Sequence, residues 1–144
     1  MNGRLGQSMG GRIDRSRGTL LLAVGDVLVI VALFSFGLLT HRIDPASSLR
    51  YTALTILPFL IGWALVAPLV GAYSQRARTA VPYAGGIVAI AWIGATLIGA
   101  VIRASPFFHG GAHVVFVGVT IGVGLVTLVP WRIVAVYVGR QLSP

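Results

Sequence analysis

Asp26 is the residue whose chemistry most needs explaining. It interrupts LLLAVGDVLVIVALF, an otherwise apolar run over residues 20–34. The only other acidic residues, Asp14 and Asp44, lie in polar flanks, and there is no glutamate. A carboxylate deep inside such a run costs roughly 2.5–3.5 kcal/mol on membrane-insertion scales, so it must be neutralised or paired. Two chemistries compete: a structural ion pair, and a proton or cation pathway in which Asp26 titrates. Arg132 is the expected ion-pair partner. Asp26 is fifteen residues from His41, and Arg132 nineteen from His113. At 1.5 Å per residue these are depths of about 22 and 28 Å. Side chains lean toward the N-terminus of their own helix. In antiparallel first and last helices the two groups therefore reach for each other across about 6 Å, which an arginine can cover. The rival reading puts Arg132 in an ordinary interfacial belt with Trp131 and Tyr137.

Tryptophan gives the second signal. Trp63 is eleven residues from Thr52, and Trp92 eleven from Arg103. Both then lie about 17 Å deep, although tryptophan prefers interfaces. Plain packing explains this, and so does an aromatic-walled cavity for a lipid, quinone or pigment, in which each indole N–H needs a partner. Trp92, Gly99 and Arg103 share a helix face, which with Trp63 makes the candidate ligand cavity. His41, Arg103, His109 and His113 form an outer polar rim. HGGAH has metal-pair spacing, but its glycines oppose a helix and no carboxylate or cysteine completes a shell, so no metal is expected. His41 with His113 is the pair that would hold a haem; a solvated rim is the simpler account. Ser35, the only serine within the apolar runs, has no acid–base partner at its depth, and no phosphate-cradling glycine loop is present. No catalytic residue and no cofactor is expected, a bound haem or pigment being the alternative.

The elements that position these residues follow from composition. The 144 residues are 56% hydrophobic and 10% charged, with mean hydropathy +0.91. Soluble domains carry roughly a quarter charged residues. Four apolar segments, 19–40, 52–73, 80–102 and 112–138, each reach the ~20 residues that cross a ~30 Å hydrocarbon core. There the backbone must satisfy its own hydrogen bonds, and the segments lack the alternation of barrel strands, so they are helices. The expected fold is all-α: an integral membrane four-helix transmembrane bundle, up-down-up-down, flanked by a flexible basic tail over 1–18 and a short tail over 139–144. The first run is too long for a cleavable signal peptide, and Asn2 excludes N-myristoylation.

Charge sets the orientation. Arg4, Arg12, Arg15, Arg17, Arg76, Arg78 and Arg140 fall on one side, and Arg42, Arg50 and Arg103 on the other. The positive-inside rule then places both termini in the cytoplasm, in the cell membrane. The net charge of +8 is spread over tails and loops rather than one soluble face, so no nucleic-acid partner is expected. With no cysteine, disulfides and thiolate metal sites are excluded. Pro58, Pro68 and Pro130 fall inside the second and fourth segments, where each removes a backbone bond and predicts a local kink. Gly118/Gly122 and Ala91/Ala95/Gly99 are the small-residue faces through which helices, or a homo-oligomer or membrane-protein partner, would pack.

Gly25-Asp26, Gly37, His41, Pro58-Phe59, Gly62-Trp63, Trp92, Arg103, Phe116-Val117 and Trp131-Arg132 together form a pattern over about residues 19 to 138. This pattern resembles the domain-of-unknown-function 3054 family of small, four-span prokaryotic membrane proteins. The resemblance implies the architecture and a prokaryotic plasma-membrane location, and no activity. The functional expectation is a non-enzymatic membrane protein, in contact with membrane lipids, that binds a lipophilic ligand or a partner protein within the bilayer. The alternative is a small transporter or proton pathway using Asp26.

Overall fold

Local stops and caps divide the chain into helices, and a computed structural model describes residues 13–108 and 110–143 of it. The helices are α1 Arg17–Thr40, α2 Leu49–Val70, the short α3 Gln75–Thr79, α4 Val81–Arg103 and α5 Val114–Leu142. The Ser16 side chain caps α1 by accepting the Thr19 N–H at 3.3 Å. Gly71 ends α2 in the left-handed conformation, φ 87°, that an L side chain adopts only with strain. Ser74 caps α3, and a proline in the first turn opens α4, where its missing N–H is harmless. α2 and α5 run unbroken through Pro58, Pro68 and Pro130.

The four long helices are each long and apolar enough to cross a membrane. Their limits differ in detail from the hydropathy segments, because capping rather than apolarity decides where a helix starts. α1 begins at Arg17, and α5 continues to Leu142 through most of the expected C-terminal tail. The connection carrying Arg76 and Arg78 is itself a helical turn, α3. The described end of the expected N-terminal tail is tied down: Ile13 bridges to Tyr73, and Asp14 donates its N–H to the Tyr73 carbonyl at 2.8 Å. Asp14 also pairs with Arg78. Arg4, Arg12 and His109 lie outside the described residues.

Burial is inverted relative to a water-soluble protein. Leu20, Leu28, Phe36, Leu69, Val101 and Val126 are each more than 60% exposed, while Asp26 and Arg132 are 0% exposed. α2 and α4 share the largest interface, and α5 packs on α4 and then α1. Close approach of α2 to α4 depends on glycine. A Cβ at Gly62 would run into the Ala95 carbonyl, and one at Gly99 would come 2.7 Å from the Phe59 ring. Ala91, Ala95 and Gly99 are thus buried within the chain, the first of the two uses that this small-residue face allowed. Around Gly118 and Gly122 an added Cβ meets nothing within 4 Å.

Candidate functional site

One ridge of α1 and one of α5 carry the ionic residues inward. On α1 the buried positions are Thr19, Leu22, Asp26, Ile30, Phe34 and Leu38; on α5 they are Thr120, Gly124, Leu128, Arg132 and Val136. Near-regular steps of four keep each ridge on one helix face. Asp26 and Arg132 are therefore brought together: Arg132 Nη2 donates to Asp26 Oδ2, with both side chains fully buried. Arg132 Nη1 donates to the Ala72 carbonyl at 2.6 Å.

Two further donors complete the carboxylate. Tyr73 Oη donates to Asp26 Oδ2 at 2.7 Å, and Trp131 Nε1 to Asp26 Oδ1 at 3.0 Å. Trp131 therefore reaches into the network instead of standing in an interfacial belt. A Cβ at Gly25 would collide with the Trp131 ring, which gives the Gly25-Asp26 dipeptide its reason. Tyr73 lies in the turn beyond α2. Burial, and then the Asp26 carboxylate beside it, push its phenol well above the usual range, so it remains an O–H donor. Its ring lies 5.2 Å from the Arg132 guanidinium carbon. Nothing in local sequence marked Tyr73, because a tyrosine closing an apolar run reads as interfacial; the left-handed stop at Gly71 folds it back inward.

The tryptophans close the interior rather than wall a cavity. Trp63 and Trp92 are 3% and 0% exposed, with ring centroids 6.3 Å apart. Trp63 Nε1 donates to Tyr73 Oη at 2.9 Å, and Trp92 Nε1 to the Thr120 carbonyl at 3.1 Å. A Cβ at Gly124 would enter the Trp92 ring. Gly99 gives its room to Phe59. Of the four expected cavity residues Trp63, Trp92, Gly99 and Arg103, only Arg103 lines a described pocket. Both indole N–H groups find partners in the chain, and glycines let the helices close on the rings.

That pocket lies instead where α1 ends and α2 and α5 begin. Its volume is about 500 Å³, and its walls include Leu33, Phe36, Val119 and Val123. His41, Tyr51, Thr55 and Arg103 supply its polar edge. Arg103 is held inward. Its guanidinium carbon lies 4.9 Å from the Phe116 ring centroid, and a Cβ at Gly110 would come 2.7 Å from its Nε. The Nε is buried without a hydrogen-bond partner among the described residues. His41 and His113 are both exposed, and among the described residues no three His, Cys, Asp or Glu groups gather as metal ligands. A second groove of about 620 Å³ at the other end runs between α1 and α5, past Gly18, Arg78, Trp131 and Arg140. Arg78 already has a carboxylate there, in Asp14.

No curated protein and no solved structure matches the chain. Residues 23–135 match a family model described as "Protein of unknown function (DUF3054)". The matched stretch holds every residue of the ionic network and the whole lining of the Arg103 pocket, and the chain belongs to this DUF3054 family.

Proposed function

We propose that this is a small multi-pass protein of the prokaryotic cell membrane that holds a lipophilic small molecule, without transforming it, in the pocket between α1, α2 and α5. The observation that carries this reading is the pocket itself: about 500 Å³, largely apolar walls, and one inward-held arginine at its edge. Ligand sites have this size and this mixture of apolar wall and few polar groups. The four apolar helices with their exposed leucines, valines and phenylalanines support membrane placement. The up-down-up-down arrangement is supported by contacts at the helix ends. Asp14 pairs with Arg78, and Gly18, Arg78 and Arg140 line one groove, so the N-terminal flank, α3 and the end of α5 share one end. Arginine is concentrated at that end, which by the positive-inside rule faces the cytoplasm.

Native mass spectrometry of the protein extracted with its lipids, beside a visible absorption spectrum, tests the assignment. Gly37 lines the pocket, and a Cβ there meets nothing within 4 Å, so Gly37→Leu introduces bulk into the pocket from a position with room at its Cβ. The expected result is a bound mass that the Gly37→Leu protein lacks while its melting temperature is kept. A bare, colourless wild-type protein overturns the reading. The competing transport reading is disfavoured by Asp26, whose two oxygens already receive Arg132, Tyr73 and Trp131. Proton flux in liposomes that disappears in a folded Asp26→Asn protein would reinstate it.

A further inference from the structure

Among the described residues no carboxylate pairs with Arg103. Asp14 pairs with Arg78 and Asp26 with Arg132, while Asp44 accepts the Ala46 N–H of its own loop at 3.0 Å. There is no glutamate to take their place. An arginine that served only as a positive mark at a membrane edge would extend its head into water. Arg103 does the opposite, its stem covered by the Gly110 loop and its guanidinium set against Phe116 at the pocket.

We propose that the occupant of this pocket is a single-chain amphiphile with a carboxylate head, a long-chain fatty acid, anchored by the Arg103 guanidinium. The proposal rests on the reading of the pocket as a ligand site. Three properties select this class. The guanidinium fork matches a carboxylate in two parallel hydrogen bonds, and one fixed cation balances one negative charge rather than the two of a phosphate monoester. Tyr51, whose hydroxyl has no hydrogen bond among the described residues, stands at the same edge as a second donor. A volume of about 500 Å³ falls in the range of small-molecule sites and suits one acyl chain better than a two-chain lipid. That chain would run along Leu33, Phe36, Val119 and Val123, with Phe36 and Val119 more than half exposed at the pocket's side.

Trp92 supplies the reporter, since its indole is bonded to the carbonyl of Thr120, a pocket residue. Palmitic acid brominated in mid-chain, the matching brominated alcohol and the matching phosphate monoester are titrated into the full-length protein in non-ionic detergent, at alkaline pH, and tryptophan quenching is read. The acid is expected to bind at least about tenfold more tightly than the alcohol, or ~1.4 kcal/mol. Arg103→Gln should bring acid and alcohol level, and Arg103→Lys should keep part of the preference. Equal binding of acid and alcohol by the wild type overturns the head-group assignment and leaves the pocket reading standing; this comparison needs no variant. A preference that survives Arg103→Gln, or tighter binding of the phosphate, overturns it as well. If none of the three probes quenches saturably, the pocket reading falls with it.

Discussion

At the scale of single residues, the decisive fact is that Asp26 receives three donors and Arg132 gives up two in a fully buried setting. Breaking a buried pair leaves the surviving charge without compensation, typically at about 3–5 kcal/mol. Asp26→Asn and Arg132→Gln are each expected to lose stability on that scale, and the double variant to lose clearly less than their sum. Unfolding in detergent measures all three, and simple additivity would remove the pair from the account. Tyr73→Phe strips a donor from Asp26 and an acceptor from the Trp63 indole, and is expected to cost about 1–3 kcal/mol. The Asp26–Arg132 partnership was legible from depth counting and side-chain lean alone. Tyr73 and Trp131 were not, because both sit where an interfacial aromatic is the ordinary occupant.

The helices show why some glycines tolerate change and others do not. Gly62 faces the Ala95 backbone and Gly99 faces Phe59, so a methyl group at either forces α2 from α4. Gly62→Ala and Gly99→Ala should each cost about 1–3 kcal/mol by overpacking. Gly118→Ala meets open space and should be neutral or stabilising by up to about 1 kcal/mol through helix propensity. Thermal unfolding ranks the three, and a Gly118→Ala penalty as large as that of Gly62→Ala would contradict the packing described. Both small-residue faces were visible as patterns. Spacing shows that a face is small, but not whether a neighbouring helix already occupies it.

For the whole molecule, the testable property is sidedness. The chain has no cysteine, so single cysteines report without background. Ser143 and Ser47 are exposed residues, Ser143 beside the arginine-rich groove and Ser47 in the connection from α1 to α2 near the Arg103 pocket. Ser143→Cys should react with a membrane-impermeant maleimide only after permeabilisation, and Ser47→Cys in intact cells. The reverse labelling would invert the orientation and move the Arg103 pocket to the cytoplasmic face.

What the sequence determined by itself was whatever depends on composition and period. Four runs of some twenty apolar residues can only be helices where water is excluded, and a lone acid and an arginine at compatible depths made an ion pair one of two readings. Tertiary structure decided what depends on non-local closure. The left-handed Gly71 turns Tyr73 back onto Asp26, and Gly25 and Gly124 let indole rings in against α1 and α5. Trp63 and Trp92 thereby joined the packed core, and open space was left at both ends of the helices, at one of them beside Arg103, whose stem the loop through Gly110 covers. Void and contact alike depend on how neighbouring helices meet, and no single helix encodes that distance.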